Sequence, residues 1–328
     1  MHTRFTKAFG IEHPIVCAPM ALITGGRLAA AVSAAGGLGI LGGGYAGILG
    51  GEPDLEQELA CLHGHTFGVG FITWALQRAP HMLELALSHA PSCLFLSFGD
   101  PRRFAPAIHR AGVRLICQVQ SLRHVEEAID AGAAVIVAQG AEAGGHGATR
   151  STFPFVPEVA DYLARRAPEV LLLAAGGIAD GRGLAAALLL GADGVVVGTR
   201  FWSAAEALTP ASMTNRGANA TGDDTVRTKT IDVLRGVDWP EEFSFRMLTN
   251  GLTTEWAGKD PRSIAFGSRA AAYAEARSRN DLEGVAIPAG ECVGLIRDRP
   301  SAASIVEAMS NEARQLLRAG AAWTADSN

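Results

Sequence analysis

Along the first two hundred residues, short apolar runs alternate with longer stretches whose apolar residues recur at helical spacing. The runs are Pro14–Ala18, Leu38–Leu41, Phe67–Ile72, Cys93–Ser97, Arg114–Val119, Ala134–Ala138, Val170–Ala174 and Gly194–Val197. Several are apolar at nearly every position, the pattern of parallel strands covered on both faces by crossover helices. Three are announced by the same punctuation, a glycine closing an Ala/Leu-rich stretch (Gly112, Gly132, Gly191) just before LICQV, VIVAQ and GVVVG. A glycine in the left-handed conformation stops a helix there and feeds the next strand. Eight such units predict an α/β fold, a closed (β/α)8 TIM barrel rather than an open doubly wound sheet.

After Trp202 the rhythm is lost. Residues 212–284 carry the polar turns NRGANATGDD, TNG and KDPRS between helical patches, with no further strand repeat. They are read as an added helical lobe near the barrel mouth. Residues 1–211 then form the barrel, completed by a C-terminal helix over 285–328, where Ile305, Met309, Ala313, Leu316 and Leu317 fall at helical spacing and predict packing on the barrel wall.

Composition supports a large core: 48% of the chain is hydrophobic, 19% is charged, and no sustained polar tract interrupts it. The formal charge is −5, with only three lysines (Lys7, Lys229, Lys259) among 28 basic residues and no basic run longer than a pair, which argues against a nucleic-acid surface. The five cysteines form no CxxC pair, so neither a metal site nor a disulfide framework is expected. The start, MHTRFTKAFGIEHP, lacks an apolar signal core, and no apolar stretch of about 20 residues is uninterrupted, so the expectation is a soluble, cytoplasmic protein without a membrane partner. A homo-oligomer is left open.

In such a barrel, chemistry sits where strands turn into helices. The seventh turn contains Gly176 and Gly177 and the eighth Gly198 and Thr199, the two positions where barrels bind phosphate on glycine backbone. The sixth turn reads Glu142-Ala143-Gly144-Gly145-His146-Gly147. Its histidine exchanges protons near neutrality and is the catalytic candidate. Glu142 either orients that imidazole or caps a helix, with capping or solvation the stronger reading. The first turn, Ala18-Pro19-Met20, offers a rigid small surface for a flat aromatic ligand, although Met20 serves equally as core filler. Gln118 is polar within an apolar strand and needs a partner, either a ligand or a neighbouring backbone group. Trp74 and Phe98 either wall a pocket or simply pack. The glycines at 36–39 and 42–44 read as turns, since they lack the following helix and distal acid of a dinucleotide fingerprint.

These residues carry a resemblance. Phe5, Gly10, His13-Pro14-Ile15, Ala18-Pro19-Met20, AAGGLG from Ala34, Phe67-Gly68-Val69, VAQGAEAGGHG and AAGGIADGRGLAAALLLGADGVVVGTRF together resemble the nitronate monooxygenase (2-nitropropane dioxygenase) family over most of residues 1–202. The resemblance implies an FMN-dependent barrel that oxidises alkyl nitronates or nitroalkanes with O₂ to a carbonyl compound and nitrite. It places Ala18, Pro19 and Met20 at the flavin ring, Ala143, Gly144 and Gly145 along the cofactor, Gly176, Gly177, Gly198 and Thr199 at the phosphate, and His146 as the base. Gln118 joins the cofactor set as a pocket position. Two departures touch the pocket: Gly70 stands where many relatives have asparagine, and Cys117-Gln118-Val119 replaces a smaller or threonine-containing fifth strand. The main alternative is an NAD(P)H-dependent flavin reductase of the enoyl-acyl carrier protein reductase II or NADH:quinone reductase type. A sugar-phosphate isomerase or aldolase is disfavoured because all three lysines lie away from the strand ends, and a non-catalytic flavin-binding regulator ranks last.

Overall fold

The structure, a computed structural model, describes residues 1–47, 52–260 and 266–322. Residues 261–263 of the KDPRS turn and the last six of the 285–328 segment lie outside them. Among the described residues, nine short strands fall within the first 200: β1 Ile15–Cys17, β2 Gly39–Gly44, β3 Phe67–Ile72, β4 Cys93–Ser97, β5 Arg114–Val119, β6 Val135–Gln139, β7 Gly145–Gly147, β8 Leu171–Ala175 and β9 Gly194–Val197. All but β7 form one parallel sheet in the order β1-β9-β8-β6-β5-β4-β3-β2. A bridge between Val16 and Leu38, with the Leu38 amide donating to the Ile15 carbonyl and the Cys17 amide to that of Leu38, brings the sheet round to a nearly closed barrel. The expected (β/α)8 architecture is therefore present, with each barrel strand within a few residues of its expected place.

Period-2 alternation explains how the barrel both packs and opens. Leu94, Leu96, Leu115, Cys117, Ile136, Ala138, Leu172 and Ala174 face the surrounding helices. Their neighbours Val16, Phe95, Ile116, Val137, Leu173 and Val196 fill the interior together with Phe5 and Phe9 of the helix Arg4–Phe9, which plugs one end. One step further along each strand, the next inward position is small or polar: Ala18, Gly70, Ser97, Gln118, Gln139, Ala175 and Gly198. These residues line a cavity at the C-terminal end of the barrel. The core thus ends where side-chain volume is withdrawn.

Three expectations are corrected. Gly42–Gly44 are not a free turn but the end of β2, with a register shift against β3. A Cβ at Gly42 would lie 2.5 Å from the Met20 carbonyl, and one at Gly43 would lie 2.4 Å from the Phe71 ring, so the glycines serve close approach. The lobe is not wholly helical. It includes the helices Ala211–Ala218, Thr230–Arg235, Gly251–Trp256 and Phe266–Ser278, but also β10 Thr225–Thr228 and β11 Ser244–Leu248, which pair antiparallel with each other and through β11 with β7. The C-terminal helix begins only at Ala302 and packs through Ile305, Val306, Met309 and Ala313 against the helices Gly181–Leu189 and Gly26–Ala34. Ahead of it, residues 285–301 run as an irregular strap containing a 3-10 turn at Glu291–Leu295. No helix among the described residues is long and apolar enough to cross a membrane.

Candidate active site

The cavity at the barrel mouth has a volume of about 430 Å³, within the usual range for small-molecule and cofactor sites. The catalytic and cofactor-binding candidates named from the sequence all border it, whereas Glu142 and Trp74 do not. Ala18, Pro19 and Met20 form one wall, Gln118 and Gln139 project from the adjacent strands β5 and β6, and Ala143, Gly144, Gly145 and His146 cross the mouth. Gly176, Gly177, Gly198 and Thr199 complete it from the seventh and eighth turns. Gly176 and Gly177 have φ of +103° and +74°, a successive left-handed pair that L side chains rarely adopt. A Cβ on Gly145, Gly177 or Gly198 would meet nothing nearer than 3.5 Å, ordinary van der Waals contact, so these backbones border the cavity without crowding. Such a glycine-lined cradle suits a flat ligand with a phosphate tail.

His146 is held from three directions. Its main chain belongs to β7, where it pairs with Phe245 of β11, and its carbonyl accepts a hydrogen bond from Gln139 Nε2. Gln139 is fixed in turn by Gln120, whose Nε2 donates to Gln139 Oε1 at 2.8 Å. The imidazole lies flat on Trp239, with centroids 3.4 Å apart and planes at 11°, and meets the edges of Phe98 and Phe245. Its Nε2 donates to Asp232 Oδ1 at 2.8 Å, and both side chains are buried. A carboxylate only accepts, so Nε2 carries the hydrogen and Nδ1 is left with a free lone pair. Burial pulls the imidazole below its ordinary pKa; Asp232 pulls it back up, and Arg235 and Arg227 push it further down. The net lowering keeps the imidazole neutral at neutral pH.

Glu142 does not reach the imidazole. Its carboxylate accepts from the Thr152 amide and hydroxyl and so caps the helix Thr152–Arg166. Thr199 faces the cavity, yet its hydroxyl already accepts the Gly290 amide of the strap at 2.9 Å. Burial pushes the thiols of Cys17 and Cys292 up to about 12 and about 11, so neither supplies a thiolate nucleophile.

Four residues of this site escaped sequence reasoning: Asp232, Arg235, Trp239 and Phe245, all from the lobe. The one local signal was an acid set among apolar positions in Thr-Ile-Asp-Val-Leu, where Ile231, Asp232 and Leu234 are all buried.

A (β/α)8 barrel with a buried imidazole beside a glycine-lined cavity at its strand ends has the form of a small-molecule or cofactor site. The match to known proteins is specific. The model of the nitronate monooxygenase family matches residues 2–67 and 72–312, and the chain belongs to that family. It is 34% identical to a nitronate monooxygenase of Neurospora crassa, over 93% of this chain and 90% of that one, and 38% identical to the nitronate monooxygenase npaC of Metarhizium robertsii, over 92% and 91%. Among solved structures, FabK from Thermotoga maritima superposes with a TM-score of 0.82 at 28% identity, covering 98% of this chain and 99% of that one. Nitroalkane oxidase from Streptomyces ansochromogenes gives 0.76 at 25%, covering 94% and 98%. The protein is thus an enzyme, an oxidoreductase of nitronate oxidation that acts on a small-molecule substrate, and its family implies a flavin cofactor.

Proposed function

We propose that the protein binds FMN in the glycine-lined cavity and oxidises alkyl nitronates, and the nitroalkanes that give rise to them, with O₂ to a carbonyl compound and nitrite. The observation that carries this reading is the neutral His146, its Nε2 tied to Asp232, at the edge of a cavity whose backbone cradle fits a flavin. Gly176, Gly177, Gly198 and Thr199 would hold the phosphate, and Ala18, Pro19, Met20, Gln118, Ala143, Gly144 and Gly145 would border the ring. When bound, the flavin supplies the electron-transfer chemistry that side chains lack.

The chain's own task is the proton. A carbon bearing a nitro group is acidic because its charge spreads onto the nitro oxygens. In the reading proposed here the C–H bond breaks, the proton passes to Nδ1 of His146 and the electron pair moves onto the nitro group. Asp232 fixes the tautomer and takes part of the charge of the resulting imidazolium, and Trp239 covers one face of the ring against water. The apolar wall of Leu22, Ile23, Leu208 and Met213 would receive the alkyl arm.

The test is the visible spectrum of the purified protein under anaerobic conditions as ethylnitronate is added. A yellow flavin spectrum that bleaches supports the reading. Bleaching by NADH or NADPH but not by nitronate would replace it with the flavin-reductase reading, and a colourless protein would remove the cofactor.

A further inference from the structure

Two lobe arginines border the cavity, Arg235 and the exposed Arg277, while two others, Arg227 and Arg246, bind the carbonyls of the loop before His146 and are fully engaged. Arg227 donates to the carbonyls of Ala141, Ala143 and Ser244, and Arg246 donates to Ala141 and Thr225 and pairs with Glu291. Arg235 differs. It ends the helix Thr230–Arg235, lines the cavity, and sits over the rings of Phe245 and Tyr273 at 5.6 and 5.8 Å. Its Nε donates to the Tyr273 hydroxyl at 3.2 Å. Among the described residues, no carboxylate lies within ion-pair distance of Arg235, and its two terminal nitrogens make no hydrogen bond. Arg235 is half-buried, its stem against aromatic rings, and its planar fork stays open to the cavity, where an anion could pair with it.

We propose that Arg235 is the anion subsite of the cavity, binding the planar O–N–O group of a nitro compound or nitronate through its terminal fork. The placement fits the chemistry. Phe245 is shared by the two groups, with the His146 ring centroid 4.9 Å from its centroid on one side and the Arg235 guanidinium carbon 5.6 Å away on another. A substrate lying along that ring has its acidic carbon at the base and its oxygens at the fork. As the C–H electron pair moves onto the oxygens, the bidentate pair to arginine strengthens, so the contact favours the deprotonated form. The planar fork matches two oxygens in one plane, which an ammonium cannot do. Nitrite, the product anion, has the same O–N–O edge.

This inference rests on the nitronate reading for its ligand, but its test does not depend on turnover. Nitrate, a planar oxyanion, is titrated into the flavin-loaded enzyme and its Kd read from the shift in flavin absorption, for the parent, Arg235→Met and Arg235→Lys. A Kd raised about ten- to a hundredfold in Arg235→Met, and by less in Arg235→Lys, is expected with flavin retained. A Kd within twofold of the parent in Arg235→Met overturns the proposal, as does loss of flavin in both variants, which would assign Arg235 to the cofactor. Should the parent bind nitrate through Arg235 yet fail to bleach with nitronate, the anion subsite stands and the nitronate reading falls. A second readout is the acid limb of the pH profile. His146 is faced by Asp232, Arg227 and Arg235, and removal of Arg235's positive charge moves the limb to higher pH.

Discussion

Asp232 and Arg235 stand one helical turn apart on Thr230–Arg235 and act on the same imidazole with opposite sign: the carboxylate raises the pKa of His146 and the guanidinium lowers it. Two residues of one short helix therefore act on the imidazole beside the burial that chiefly lowers its pKa, and the carboxylate fixes its tautomer.

Asp232→Asn removes the group that raises His146. With its pKa pushed lower still, the imidazole stays neutral to lower pH, so the acid limb of kcat/KM for a neutral nitroalkane shifts downward. The plateau falls as well, by about tenfold to a hundredfold, part of the ~10²–10⁴ that positioned acid–base groups contribute. A pH–rate profile checks both, and an unmoved limb would remove Asp232 from the proton step.

His146→Ala separates proton removal from oxidation. Turnover of neutral nitroalkane should fall by about 10²–10⁴, while turnover of preformed nitronate falls much less and flavin stays bound. Parallel assays on the two substrate forms measure this. Equal losses on both would contradict the base assignment.

Pro19 lies directly over Gly70. A Cβ at Gly70 would lie 2.3 Å from Pro19 Cβ and 2.5 Å from its Cγ. Gly70→Ala must push Pro19 into the cavity, at an overpacking cost of about 1–3 kcal/mol. Thermal denaturation should show the loss, and a dialysis assay should show faster release of flavin.

Gly176→Asp adds a carboxylate to the turn assigned to the phosphate, at a φ of +103° and with its Cβ 2.9 Å from Thr152 Oγ1. Repulsion between like charges and backbone strain act together, and the purified variant should be colourless. Full flavin content, measured by absorbance ratio, would move the phosphate elsewhere.

The barrel was legible because its strands are apolar on both faces and its helices end on glycine, both local signals. The glycine turns and His146 were legible because barrel geometry places chemistry at strand ends. The lobe strands were not. Thr-Val-Arg-Thr and Ser-Phe-Arg-Met-Leu are short and half polar, and β11 pairs with Gly-His-Gly, a triplet with no strand propensity of its own. Asp232 stayed hidden for the same reason: it lies 86 residues from its partner, and its burial is set by tertiary contact. The expected helix over 285–328 overlooked the strap because the periodicity that justified it begins only near Ile305.

The antiparallel seam between β7 and β11 gives the molecule a division of labour in stability as well as in space. Most of the cavity lining belongs to the barrel strands and their turns, whereas Gly145 and His146 sit on a register of three residue pairs, Ser244 to Gly147, Phe245 to His146 and Arg246 to Gly145, beside the contacts of His146 with Gln139, Asp232 and Trp239. Local opening of that seam costs far less than global unfolding. Amide exchange at residues 145–147 should therefore run ahead of exchange in β6 and β8, and opening of the seam would loosen the pairing of His146 with Asp232 and the Gly145 edge of the cavity together.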